Sequence, residues 1–123
     1  MRKTRIAAFA GALATAATLL TATPALAVDR TCYDGYFCVY KDANYSTANT
    51  MYRFNKTNND WYTYASSIYR ADSSWKNRYT RDAYVCDAGW ITTNTIHLKP
   101  GASISYSSAA NDRGAEHAWS NCS

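Results

Sequence analysis

The chain has 123 residues, 47% of them hydrophobic and 18% charged, and its 13 Lys and Arg against 9 Asp and Glu give a net charge of +4. Three of the cations, Arg2, Lys3 and Arg5, fall in the first five residues, so residues 28–123 hold ten cations against nine acids, a net charge of +1. A segment this near neutrality lacks the basic face that nucleic acids require, and its length suits one small domain.

From the start of the chain, the cationic residues 1–5 lead into an Ala-rich apolar run at 6–20, followed by Pro24 and the small-residue signal Ala25-Leu26-Ala27. This is the pattern of a secretory signal peptide, residues 1–27, cleaved after Ala27. The apolar run is shorter than the roughly 20 residues that span a bilayer, so the chain is expected to be secreted and not membrane-inserted.

Cys32, Cys38, Cys86 and Cys122 all follow that cleavage point. An even number of cysteines in an exported chain reads as disulfides. Of the three possible connectivities, Cys32 with Cys38 and Cys86 with Cys122 is favoured: the first closes a short loop containing Gly35, and the second ties the C-terminal tail to a strand. A four-cysteine zinc site competes, but no Cys-x-x-Cys pair is present.

All 11 tyrosines and 4 tryptophans lie after residue 27, a composition that favours strands. Strands are predicted at 36–41, 50–54, 82–86, 95–99 and 102–106, separated by Asn, Asp, Ser and Thr clusters. In 95–99 the apolar Ile96 and Leu98 alternate with Thr95, His97 and Lys99, as a half-buried strand requires, and Pro100-Gly101 reads as the turn after it. The stretch 55–64 is Asn-rich and reads as a loop. Its Trp61, Tyr62 and Tyr64 either stack on an external partner or cover a core short of aliphatic residues, and the second reading is favoured.

An internal repeat organises these pieces. Residues 42–51 align with 87–96 at a shift of 45, sharing Asp, Ala, Thr, Asn and Thr; residues 71–77 align with 115–121 at a shift of 44, sharing Ala, Trp and Asn. Two similar antiparallel units, about 28–81 and 82–123, are therefore expected to pack on one another. The alignment makes Trp75 equivalent to Trp119, Tyr45 to Trp90, and Ser73 to His117. His97 reads as an outward strand residue and His117 as a residue without special placement. Without a Gly-x-Ser-x-Gly or His-Glu-x-x-His motif, no catalytic residues are assigned and the chain is not read as an enzyme.

The segment Cys32-Tyr33-Asp34-Gly35-Tyr36-Phe37-Cys38-Val39-Tyr40-Lys41-Asp42-Ala43-Asn44-Tyr45 resembles the opening of the secreted bacterial metalloproteinase inhibitors, and Asn111-Asp112-Arg113 with Trp119 resembles their closing segment. The resemblance implies an all-β, βγ-crystallin-like sandwich of two Greek-key motifs. It also implies an inhibitory loop, Cys86, Asp87, Ala88, Gly89 and Trp90, held rigid in a protease cleft with the Cys86 to Asp87 bond as its strained bond. Two departures stand out: Asp87 occupies a position where the family carries an apolar residue, and the next cysteine is as far away as Cys122. Related crystallin-like domains bind calcium through Asn/Asp-Asn/Asp-x-x-Ser/Thr-Ser loops. Here Asn111-Asp112-Arg113-Gly114-Ala115-Glu116 places Ala115 at a hydroxyl position, and 67–72 lacks both leading acids, so no cofactor is expected and Asp112 and Glu116 are the calcium remnants. The resulting expectation is a monomeric, secreted peptidase inhibitor whose partner is an extracellular protease. The alternative is an extracellular binding module for cell-wall or carbohydrate surfaces.

Overall fold

Seven strands form two antiparallel sheets among the described residues, which in this computed structural model are 28–57, 60–89 and 92–122. The expected signal peptide and Trp90 lie outside the described residues. The strands are β1 (Phe37–Tyr40), β2 (Met51–Phe54), β3 (Ser74–Asn77), β4 (Ala83–Asp87), β5 (Thr93–Leu98), β6 (Ser103–Ile104) and β7 (Glu116–Ala118). One sheet has the order β2-β1-β3-β6 and the other β5-β4-β7, so in each a central strand is flanked by its hairpin partner and by a later strand. The five strands predicted from sequence correspond to β1, β2, β4, β5 and β6. The short, polar β3 and β7 were not predicted.

Alternation of side chains sets the burial. Phe37 and Val39 of β1 face the main core, while Cys38 and Tyr40 on the opposite face join Cys32, Tyr36, Tyr45 and Met51 in a second, smaller cluster, so all four residues of β1 are buried. Val85, Ile96 and Leu98 bring the second sheet to the same core, with Trp61, Trp75 and Ile68 packed among them. His97 points outward as expected, its ring stacked on Tyr84 at 4.3 Å and its Nε2 2.7 Å from an Asp82 oxygen. The favoured disulfides, Cys32–Cys38 and Cys86–Cys122, are both formed.

The segment read as a loop holds one short helix, α1 (Trp61–Tyr64), whose N-cap Asp60 accepts from the Thr63 N–H at 3.1 Å. The cap splits the three aromatics. Trp61 is wholly buried, whereas Tyr62 and Tyr64 are 70% and 72% exposed.

The two sheets share a set of bonds at a spacing different from the one the identities suggested. Ser73 N–H donates to Tyr40 O, and Ala115 N–H donates to Cys86 O, both at 2.9 Å. The bonds Ile68 N–H to Ala65 O and Ala71 N–H to Ile68 O recur as Ala110 N–H to Ser107 O and Arg113 N–H to Ala110 O, and left-handed Arg70 (φ 51°) recurs as Asp112 (φ 61°). From Ser73 to Ala115 this correspondence runs at 42 residues, and from Tyr40 to Cys86 at 46. His117, opposite Val85, therefore takes the place that Trp75, opposite Val39, holds in the first sheet. The expected pairing of Trp75 with Trp119 is corrected: Trp119 is half-buried, stacked on Tyr79 at 4.2 Å and T-shaped to Phe37. His117, expected to be unremarkable, is wholly buried. A further departure from two self-contained units is β6, which lies late in the chain yet pairs with β3 of the first sheet.

Candidate functional site

The β4–β5 hairpin carries the segment that the sequence singled out. Five residue pairs from Ala83 with Leu98 to Asp87 with Thr93 form its ladder, with a bulge between Val85 and Cys86, and residues 88–92 connect the strands. Both flanks of this connection are tied to the rest of the molecule. On the β4 side, Cys86 is bonded to Cys122 with a Cα–Cα distance of 5.7 Å. The neighbouring Asp87 accepts from Arg113 Nε and Nη2 at 3.1 and 3.0 Å on one oxygen, and Arg70 Nη2 lies 3.2 Å from the other. On the β5 side, Asn94 Oδ1 accepts from the Cys122 N–H at 2.8 Å, and Asn94 Nδ2 donates to Asn121 Oδ1 at 3.0 Å.

This framework distributes the predicted loop residues unequally. Cys86 is 1% exposed, pairs with Asn94 and Glu116 on either side, and its carbonyl accepts from Ala115 N–H. The bond between Cys86 and Asp87 thus lies within a central strand, where a protease could reach it only by opening the ladder. Ala88 and Gly89 are exposed beyond the strand's end. Sequence reasoning missed Arg70 and Arg113 as supports of this hairpin, because no local spacing signals that cations 17 residues before and 26 after Asp87 converge on it.

The two calcium remnants sit on different elements. Glu116 belongs to β7, where partial burial raises its carboxyl above the usual range. Asp112 sits at the left-handed corner with its N–H on Asp72 O, and Asn111 Oδ1 is taken by the Ser73 hydroxyl at 2.6 Å. Among the described residues no three His, Cys, Asp or Glu side chains gather in one place.

Two buried titratable groups lie instead inside the core. Asp72 accepts from Gly114 N–H at 2.8 Å and Trp75 Nε1 at 2.9 Å; burial nonetheless raises its carboxyl to about 6. His117 accepts from Trp61 Nε1 at 3.0 Å through Nδ1 and contacts Lys56 O at 2.7 Å through Nε2, and burial lowers it to about 4. These bonds require the neutral imidazole with its proton on Nε2. Asp72 binds its proton more tightly folded than unfolded, so its contribution is present below pH 3.8 and is lost as the pH rises through 6. His117 behaves oppositely: its contribution is complete above pH 6.5 and is lost as the pH falls through 4. Between pH 4 and 6 the two slopes largely cancel. Asp72→Asn is therefore expected to expose the His117 slope, losing about 1 kcal/mol between pH 6 and pH 5, whereas the parent stays nearly flat in the same denaturant titrations.

No curated protein and no solved structure matches the chain. The sequence profile of peptidase inhibitor family I36 matches residues 26–97, which takes in the first sheet's β1, β2 and β3 together with nearly all of the β4–β5 hairpin. The match covers more than half of the sequence, and the chain belongs to peptidase inhibitor family I36.

Proposed function

We propose that the protein is a secreted, monomeric, βγ-crystallin-like inhibitor of an extracellular metalloprotease, built from Greek-key repeats at about 28–81 and 82–123 and working without a cofactor. Its protease-facing segment is the β4–β5 connection at 88–92, displaced toward the hairpin tip from the bond between Cys86 and Asp87. The observation that carries this reading is the double anchoring of the connection, by the Cys86–Cys122 disulfide on one flank and by Asn94 on the other. A segment whose two flanks are fixed before it meets the protease loses less conformational freedom on binding, and a cleaved bond whose ends are held together is poorly released.

Residues 28–123 are expected to abolish the activity of a thermolysin-like metalloprotease stoichiometrically while leaving a trypsin-like serine protease active. Undiminished metalloprotease activity at tenfold excess would count against the reading. The exposed pair Tyr62 and Tyr64 favours a second reading, a module that stacks on sugars. Retention on insoluble cell wall that Tyr62→Ala/Tyr64→Ala abolishes, together with full protease activity, would select it.

A further inference from the structure

We propose that Arg70 and Arg113 are positioning residues for the inhibitory hairpin: together they clamp Asp87 and so fix the geometry of the segment that follows it. The inference rests on the reading of 88–92 as the protease-facing segment. It also accounts for the departure at Asp87, whose carboxylate serves as the hairpin's internal anchor where an apolar residue would contact the protease.

The clamp has four features of a built device. The Asp87 side chain is only 16% exposed, so its charge needs partners close at hand. The two arginines approach different oxygens of the carboxylate, from the corner that precedes β3 and from the corner that precedes β7. Each guanidinium is held by a second contact: Arg113 Nη1 donates to Ala109 O at 3.0 Å, and Arg70 Nε donates to Tyr69 Oη at 3.3 Å. Arg70 Nη2 also donates to Ala88 O at 3.3 Å, so the same side chain grips the first residue of the connection directly.

Backbone strain points the same way. Arg70 has a left-handed φ of 51°, unusual for a side chain of its size, and its N–H donates to Gly114 O at 2.7 Å. Strained conformations persist where the surroundings determine them, and here the outcome is a guanidinium aimed across the gap between the sheets' corners at Asp87 and Ala88. The two charge-assisted bonds from Arg113 are directional as well as strong, and together with the Arg70 ion pair, which leaves Asp87 Oδ1 without a hydrogen bond, they restrict the hairpin's swing about the β4 end.

The test uses Arg70→Gln/Arg113→Gln in residues 28–123, with the exposed pair Lys56→Gln/Lys99→Gln as the control for the two lost charges. Against a protease that the parent inhibits, the double variant is expected to show an inhibition constant raised at least tenfold. It is also expected to show cleavage within 88–92, mapped by mass spectrometry, accelerated by a similar factor, with the control unchanged. Amide exchange at Ala88, Gly89 and Thr92 is expected to quicken at least tenfold while Phe37 and Val39 in β1 keep the parent's rates, which separates a loosened hairpin from a variant that fails to fold. A variant with protected β1 amides but parental exchange at 88–92 overturns the clamp. If the parent inhibits no protease, the inhibitor reading fails by itself and the exchange measurement still decides the clamp. If β1 also loses protection, the single variants Arg70→Lys and Arg113→Lys, which keep the charge but not the planar guanidinium, are measured in the same way. Parental exchange at 88–92 in both again overturns the proposal.

Discussion

Replacing Cys86 and Cys122 together by serine is expected to cost about 4 kcal/mol of folding stability, from the loop-closure entropy of a crosslink spanning 36 residues. For a domain of this size that corresponds to a fall in melting temperature of about 15 °C or more. Cys32 and Cys38 are only 6 residues apart, and their double replacement by the same reasoning costs about 2 kcal/mol. Thermal melts of the two variants side by side check the order. Equal losses would mean that the long bridge does not restrict the unfolded chain as argued. The long bridge has a local role as well, because Cys122 N–H is bound by Asn94 Oδ1. Its loss therefore leaves the tail held to the hairpin by Asn94 alone, and protection of the β4–β5 amides should fall with it.

Gly114→Ala is the second change with a large expected effect. A Cβ at this position would stand 2.3 Å from Asp72 Oδ2 and 2.6 Å from Trp61 Cζ3. Neither neighbour can yield readily: Asp72 is held by the Gly114 and Trp75 N–H groups, and Trp61 is wholly buried and bonded to His117. Overpacking against two fixed, buried groups should cost about 3 kcal/mol. Gly101→Ala provides the contrast. That glycine has a positive φ of 83° but open space around it, so only backbone strain of about 1 kcal/mol is expected. Urea midpoints for the two variants distinguish a steric requirement at 114 from a conformational one at 101, and a Gly114→Ala protein as stable as Gly101→Ala would contradict the packing described.

Much of the first sheet and of the hairpin was legible in the sequence because its signals are local. The alternating Ile96 and Leu98 marked β5, the dense aromatic run marked β1, and the cysteine spacings pointed to the two bridges that form. The strands β3 and β7 escaped because Ser-Trp-Lys-Asn and Glu-His-Ala have no apolar alternation; their burial comes from packing between sheets. The correspondence between the halves was visible but misregistered. The shared residues Asp42, Asn49 and Thr50 lie between strands in the first half, but their matches Asp87, Asn94 and Thr95 lie within β4 and β5, so the identities align places that do not correspond, whereas the recurring hydrogen bonds follow the strand ends. As a result, His117 was matched with Ser73 although it occupies the place of Trp75. A buried histidine that needs both a donor and an acceptor around it leaves no periodic trace.

The candidate site shows the same division. The resemblance implies an inhibitory loop at Cys86 to Trp90, and the structure places the bond between Cys86 and Asp87 inside the ladder of a central strand. The extra residue of the bulge, Thr95, lies on β5, and β4 pairs without interruption through Asp87, so the residues that leave the sheet begin at Ala88. The arginines that hold Asp87 come from distant corners, and only the left-handed turns at Arg70 and at Asp112, the neighbour of Arg113, bring them together.

Amide-exchange mapping of residues 28–123 in a 1:1 complex with a thermolysin-like protease reads the protease contact directly. Slowed exchange concentrated at 86–94, with the outer face of the first sheet around 29–34 and 76–78 unchanged, is the expected pattern. Slowed exchange on that outer face, with 88–92 exchanging as freely as in the unbound protein, would contradict the account.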